Sequence, residues 1–153
     1  MSNQLVHLPV SEIMTPYLVT IDQYANLARA YEIMVKDKIR RIPVVDKDKL
    51  IGIITLRDIQ EAKPSDIRHS LNQDEVNELL STILVEHVMK HPPLTVYQTD
   101  TMGHAAEIML EKKIGGIPVI DANKKLVGLV TESDIFRTIV RQWRTDNLIH
   151  SGV

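Results

Sequence analysis

The sequence contains no cysteine, which excludes disulfides, thiolate metal sites and cysteine nucleophiles and fits a reducing compartment. Aromatic residues are scarce, at 4% with one Trp and one Phe, so a core has to be built from Ile, Val, Leu and Met. No window holds the roughly 18 apolar residues of a membrane span. Charge is nearly balanced: a formal net charge of −2 over 153 residues gives no general electrostatic attraction to nucleic acid. Residues 1–10, MSNQLVHLPV, show neither a basic leader region nor a long apolar run, so a cytoplasmic protein without a signal peptide is expected. Also missing are a nucleophile beside a base, a paired-carboxylate signature and a Walker-type loop. No catalytic residue and no enzymatic activity are expected.

What the chain does have is ordinary globular composition, 44% hydrophobic and 25% charged, and an internal repeat. The stretch IGIITLRDI at residues 51–59 returns as VGLVTESDI at 127–135. Gly52, Thr55 and Asp58 match Gly128, Thr131 and Asp134 at a spacing of 76. Upstream the spacing is 75: Met14 matches Met89, Thr20 Thr95, Ala30 Ala105, Glu32 Glu107, Met34 Met109 and Lys38 Lys113, and IPVVD at 42–46 matches IPVID at 117–121. The second copy therefore carries one extra residue in the polar turn after Asp121, where a duplicated hairpin tolerates it.

Within each copy the pattern predicts β-α-β-β-α. Residues 19–21 and 94–96 are expected as short strands. Residues 26–38 place Leu27, Ala30, Tyr31 and Met34 on one helical face, and the second copy does so with Met102, Ala105, Ala106 and Met109. The β-branched runs 42–45 and 117–120 predict buried strands, joined through the polar turns to antiparallel partners at 50–55 and 126–131. A second helix is expected after each Thr. Between the copies, Asn72-x-x-Glu75 predicts the cap of a connector helix, and Pro64-Ser65 the end of the helix before it.

The doubled Thr-x-x-Asp admits two readings. A Thr at the start of a helix has its hydroxyl beside backbone N–H groups, where phosphate is favoured. An Asp three residues later can accept hydrogen bonds from a ribose diol. The same spacing is also that of a capping box, in which the two side chains serve only the helix. Both roles can coexist. His87-x-x-x-His91 has the spacing of a helical metal pair, but Pro92 and Pro93 follow at once and no third ligand is near, so no metal is expected. The lone histidines, the methionines and the basic run Arg137, Arg141 and Arg144 are expected as solvated or packed side chains.

The paired β-α-β-β-α copies, the leading Ile13-Met14 and Val88-Met89, the IPVVD/IPVID strands and the Gly-x-x-Thr-x-x-Asp ends together resemble a tandem pair of CBS domains, a Bateman module. The resemblance runs from about residue 10 to about 140. The stretch RDIQEAKPS with its helical connector is similar to small stand-alone bacterial CBS proteins, including the acetoin-utilisation AcuB type. The fold this implies is α/β (α+β), with two pseudo-twofold-related repeats in one compact module: repeat 1 at 10–62, a connector at 63–83, repeat 2 at 84–143 and a tail at 144–153. The resemblance also implies a regulatory module binding an adenine nucleotide (AMP, ADP or ATP) or S-adenosylmethionine in clefts between the repeats. The alternative is a ligand-free module for interaction and oligomerisation.

By the same resemblance, Thr131, Ser133 and Asp134 would face Thr15, Ile39 and Arg40, and Thr55, Arg57 and Asp58 would face Lys90, Ile114 and Gly115. Arg57 and Lys90 suit phosphate, which makes the Asp58 side the stronger candidate. A homodimer is expected, with Leu27, Tyr31, Met102 and Ala106 marking one possible face and Ile135, Ile139 and Trp143 another.

Overall fold

The computed structural model describes residues 4–16, 18–64 and 71–151. In chain order its main elements are α1 (Val10–Ile13), β1 (Ile21–Asp22), α2 (Leu27–Asp37), β2 (Arg41–Asp46), β3 (Lys49–Thr55), α3 (Leu56–Glu61), α4 (Gln73–Ser81), β4 (Val96–Tyr97), α5 (Met102–Lys112), β5 (Gly116–Ile120), β6 (Leu126–Thr131) and α6 (Glu132–Ser151). They form two compact units, one of residues 19–93 and one of residues 1–18 with 94–153.

In the first unit β1 runs parallel to β2 and β2 antiparallel to β3; the second repeats this with β4, β5 and β6. Both sheets carry a register irregularity at the same place, between Val44 and Val45 and between Val119 and Ile120. The short first strands lie slightly later than the apolar runs suggest, because ladder pairing starts only where Ile21 meets Val44 and Val96 meets Val119.

The turns explain the change of spacing. Between Asp46 and Lys49 the chain reverses through Lys47 and Asp48, both at positive φ (47° and 69°), as a two-residue hairpin loop requires. In the second copy the Asp121 carboxylate accepts from Asn123 N and Lys125 N, and only Lys124 adopts positive φ. That loop needs one more residue to close, so the insertion is absorbed where no side chain is buried.

Helix ends follow local chemistry. Asn26 and Thr101 cap α2 and α5 by accepting from Arg29 N and His104 N. Both helices end on a lysine in the left-handed conformation, Lys38 and Lys113, a position that ordinarily favours Gly. Asn72 and Glu75 form a reciprocal capping box on α4. Pro64 lies beyond the end of α3, while Ser65 lies outside the described residues. Residues 144–151 continue α6 rather than forming a separate tail.

Each unit has its own aliphatic core. Leu27, Ala30, Met34, Ile42, Val44, Ile54, Ile59, Leu80 and Val85 close one. Val10, Val96, Met102, Ala105, Met109, Ile117, Val119 and Val130 close the other. This corrects the first expected dimer face. Leu27 is 0% exposed and Met102 3%, because the helical face that holds them is the one packed on the sheet. Ile135 is likewise buried, whereas Ile139 and Trp143 on the same helix are exposed.

Candidate functional site

The segments led by the two repeated methionines are each drawn to a sheet by one isolated antiparallel bridge. Thr15 exchanges two backbone hydrogen bonds with Leu129 of β6 (2.9 and 3.1 Å), and Lys90 exchanges two with Ile53 of β3 (2.9 and 3.1 Å). The repeated glycines make room for this. A Cβ on Gly52 would stand 2.7 Å from Met89 Sδ and 3.0 Å from the Lys90 carbonyl; one on Gly128 would run into Met14 Sδ and lie 3.1 Å from the Thr15 carbonyl. The Thr15 segment is thus held in the unit of Asp134, and the Lys90 segment in the unit of Asp58.

At the end of β3, Thr55 turns the chain into α3. The Asp58 carboxylate accepts from Thr55 N through Oδ2 (2.8 Å) and from the Thr55 hydroxyl through the same oxygen (2.6 Å), while Asp58 N donates to Thr55 Oγ1 (3.1 Å). At the end of β6 the same set recurs: Thr131 N and the Thr131 hydroxyl donate to Asp134 Oδ2 (2.8 and 2.9 Å), and Asp134 N donates to Thr131 Oγ1 (3.4 Å). The capping role therefore exists in both copies. Each Thr hydroxyl donates inward to its own Asp.

Asp58 and Asp134 are the buried charged side chains among the described residues, 5% and 4% exposed. A buried carboxylate is costly without a counter-ion, and each has one beside its other oxygen. Lys90 Nζ is 3.4 Å from Asp58 Oδ1, and Arg137 Nη1 is 2.9 Å from Asp134 Oδ1. The two cations occupy different places in the repeat. Lys90 belongs to the segment that opens the second copy, and Arg137 follows its Asp by one helical turn.

The remaining expected residues are distributed as follows. Arg57 is exposed and points along α3, where its Nε donates to Glu61 at 2.8 Å. That bond is the chief reason its guanidinium is raised above its ordinary value. Arg40 is exposed and Ile39 half-buried. The Arg40 carbonyl accepts from Leu56 N (2.8 Å), which ties this segment to the start of α3. Ile39 and Arg40 line an open depression of about 300 Å³ together with Met34, Val35, Lys38 and Leu56. In the other unit the Gly115 carbonyl accepts from Glu132 N (3.2 Å), next to half-buried Ile114. Ser133 lies exposed in the first turn of α6. Leu56 and Lys38, beside Ile39 and Arg40, and Arg137, beside Asp134, were not among the expected residues; for Leu56, its place directly after the repeated Thr was an available signal. Among the described residues no three His, Asp or Glu side chains gather as a metal set, and His87 has Glu86 3.7 Å away. No helix among the described residues is long and apolar enough to cross a membrane.

Two β-α-β-β-α units, each ending its last strand in the same Gly-x-x-Thr-x-x-Asp, define a tandem-repeat protein. The chain belongs to the CBS domain family, which matches residues 10–65 and 85–141. It is similar to a CBS domain-containing protein of Dictyostelium discoideum, 35% identical over 133 residues that span 86% of this chain and 91% of that protein. Two further relatives from Methanocaldococcus jannaschii are longer, and the matches span only 37% and 41% of their lengths. Among solved structures, CBSX2 in complex with AMP superposes with a TM-score of 0.71 at 27% identity, covering 87% of this chain and 96% of that one. The CBS domain pair of protein MJ0100, in complex with 5-methylthioadenosine and S-adenosyl-L-methionine, gives 0.72 at 27% identity, covering 88% and 98%. The AcuB-type resemblance is matched by a Vibrio cholerae protein assigned to acetoin utilization (AcuB), with TM-score 0.73 and 27% identity over 92% of this chain and 96% of that one.

Proposed function

We propose that this CBS pair is a regulatory module that binds an adenosine-containing ligand, AMP, ADP, ATP or S-adenosylmethionine, and passes its binding state to a protein partner. The observation that carries this reading is the buried Asp58 with an exposed lysine, not a second capping group, beside its outer oxygen. A carboxylate whose inner oxygen is spent on its own helix and whose outer oxygen, among the described residues, faces an exposed ammonium suits a hydroxyl pair such as a ribose diol. Lys90, 64% exposed, can leave Asp58 for a phosphate. Ile39 and Arg40, expected to serve the ligand of Asp134, line a depression with Leu56, Met34 and Lys38 that offers apolar contact for a purine and positive charge at its rim; Asp58 and Lys90 are not part of its lining. Similarity to proteins solved with AMP and with S-adenosylmethionine supports the same ligand class. We read the chain as cytoplasmic, homodimeric and non-catalytic.

The second reading, a ligand-free interaction module, is favoured by one observation: both Thr-x-x-Asp pairs already complete a cap without any ligand. Calorimetry and thermal shift with AMP, ADP, ATP and S-adenosylmethionine separate the two. A ligand at about 100 times its Kd stabilises the folded chain by about 2.7 kcal/mol. Asp58→Asn should remove most of the affinity at a stability cost of about 1 kcal/mol or less, the scale of a weakened cap. Absence of heat and of shift with all four at millimolar concentration leaves the interaction module as the answer.

A further inference from the structure

The two copies of Thr-x-x-Asp have the same cap but a different outer partner, and lone-pair accounting makes that difference functional. An ionised carboxylate offers about four acceptor positions, two on each oxygen. In both copies Oδ2 spends its two on the backbone N–H and the hydroxyl of the preceding Thr. A diol, which donates two O–H groups, then needs both positions on Oδ1. Asp134 Oδ1 already accepts from Arg137 Nη1 at 2.9 Å, the length of a charge-assisted hydrogen bond. Asp58 Oδ1 faces Lys90 Nζ at 3.4 Å, longer than such a bond. The position that corresponds to Arg137 in the first copy is Glu61, which cannot donate to Asp58 and instead takes Arg57 at 2.8 Å.

We propose that Arg137 is a built-in latch that closes the second Thr-x-x-Asp to ligand, leaving the first copy as the one that accepts the ribose diol. The proposal rests on the adenosine reading above and adds an inequality between the copies that the repeat itself hides. Arg137 and Lys90 are almost equally exposed, 62% and 64%, so the inequality lies in the contact itself. Binding a diol at Asp134 requires breaking a 2.9 Å charged hydrogen bond, whereas at Asp58 it requires only that a lysine at 3.4 Å swing aside, toward the phosphate that the same ligand carries. Arg137 is a specificity-determining residue in this scheme because a single exchange converts one copy into the other's chemistry.

The test is a reciprocal exchange read by calorimetry with AMP. The wild-type chain should bind one equivalent tightly. Arg137→Gln should bring in a second equivalent, with affinity at Asp134 improved about tenfold, the scale of one charged hydrogen bond. Glu61→Arg should weaken the first equivalent by a similar factor. An Arg137→Gln titration that superposes on wild type overturns the proposal. A ligand-free arm keeps it separate from the adenosine reading: nuclear magnetic resonance of the arginine side chains, with Arg137 assigned by its loss in Arg137→Gln. A latched guanidinium shows slowed rotation and resolved Nη protons; fully averaged Nη protons overturn the latch whatever binds. If no adenosine compound gives heat with any variant, the adenosine reading fails and the latch with it; AMP binding with an unchanged Arg137→Gln titration overturns the latch alone.

Discussion

Lys90 meets the first repeat at two points: its backbone exchanges two hydrogen bonds with Ile53, and its ammonium stands 3.4 Å from Asp58 Oδ1. The main-chain ladder fixes where the side chain starts, so the ammonium is delivered to the carboxylate without depending on its own packing. In the second unit the corresponding backbone position is Thr15, which makes the same ladder with Leu129 but brings no charge.

Lys90→Met should therefore separate stability from binding. The ammonium is mostly solvated and at 3.4 Å, but its loss leaves buried Asp58 without its counter-ion, so the cost in urea denaturation should be about 1–2 kcal/mol, between a surface pair and a buried one. Affinity for ATP should fall more than affinity for adenosine, because only the former has a phosphate for the lysine to meet. Equal losses for both compounds would show that Lys90 does not reach phosphate.

Gly52→Ala should destabilise the first unit by about 1–3 kcal/mol, the usual scale of overpacking. The sulfur of Met89 can move away from an added Cβ, but the Lys90 carbonyl at 3.0 Å is fixed by its own ladder bonds. The Gly52→Ala/Met89→Ala pair should show favourable coupling in a double-mutant cycle and still fall short of wild type. A Gly52→Ala chain that unfolds at the wild-type urea midpoint contradicts the close-approach account.

Leu27→Ala should cost about 2–5 kcal/mol of stability, as expected for a fully buried leucine, and should leave the oligomeric state unchanged at concentrations where the chain is folded. A change in assembly without loss of stability would return Leu27 to an outer surface.

The homodimer is expected to use the exposed apolar side of α6, where Phe136, Ile139, Val140 and Trp143 lie together at helical spacing. Trp143 is 63% exposed, so Trp143→Ala should change monomer stability by only about 0.5 kcal/mol while weakening association strongly. Light scattering on a sizing column decides the starting point: a mass near twice 17.4 kDa supports the dimer and a mass near 17.4 kDa refutes it.

Much of this architecture could be read directly from the residues. The 75- and 76-residue spacings mark two copies and locate the one-residue difference in a turn, because only a solvent-facing loop absorbs an insertion without moving buried side chains. Alternation, β-branched runs and capping residues such as Asn72 with Glu75 are local signals, and the local structure follows them. Thr-x-x-Asp was legible both as a cap and as a candidate for ligand contact, since its spacing alone serves either.

Other features depend on which segments pack together, and no local pattern contains that. The structure sets Thr15 beside Leu129 and Met14 over Gly128, contacts between distant parts of the chain made possible by the missing side chain of one glycine. Leu27 and Met102 look equally suitable for a core or for an interface; burial against the sheet decided for the core. The acceptor positions of Asp58 and Asp134 are identical in the motif and unequal in three dimensions. One carboxylate meets a lysine carried in on a segment bridged to β3 and the other an arginine one turn along its own helix. Sequence determined the repeated elements because their hydrogen bonds and caps are satisfied locally. Tertiary structure decided the partners of the buried charges because a carboxylate removed from water takes whichever cation the fold brings within reach.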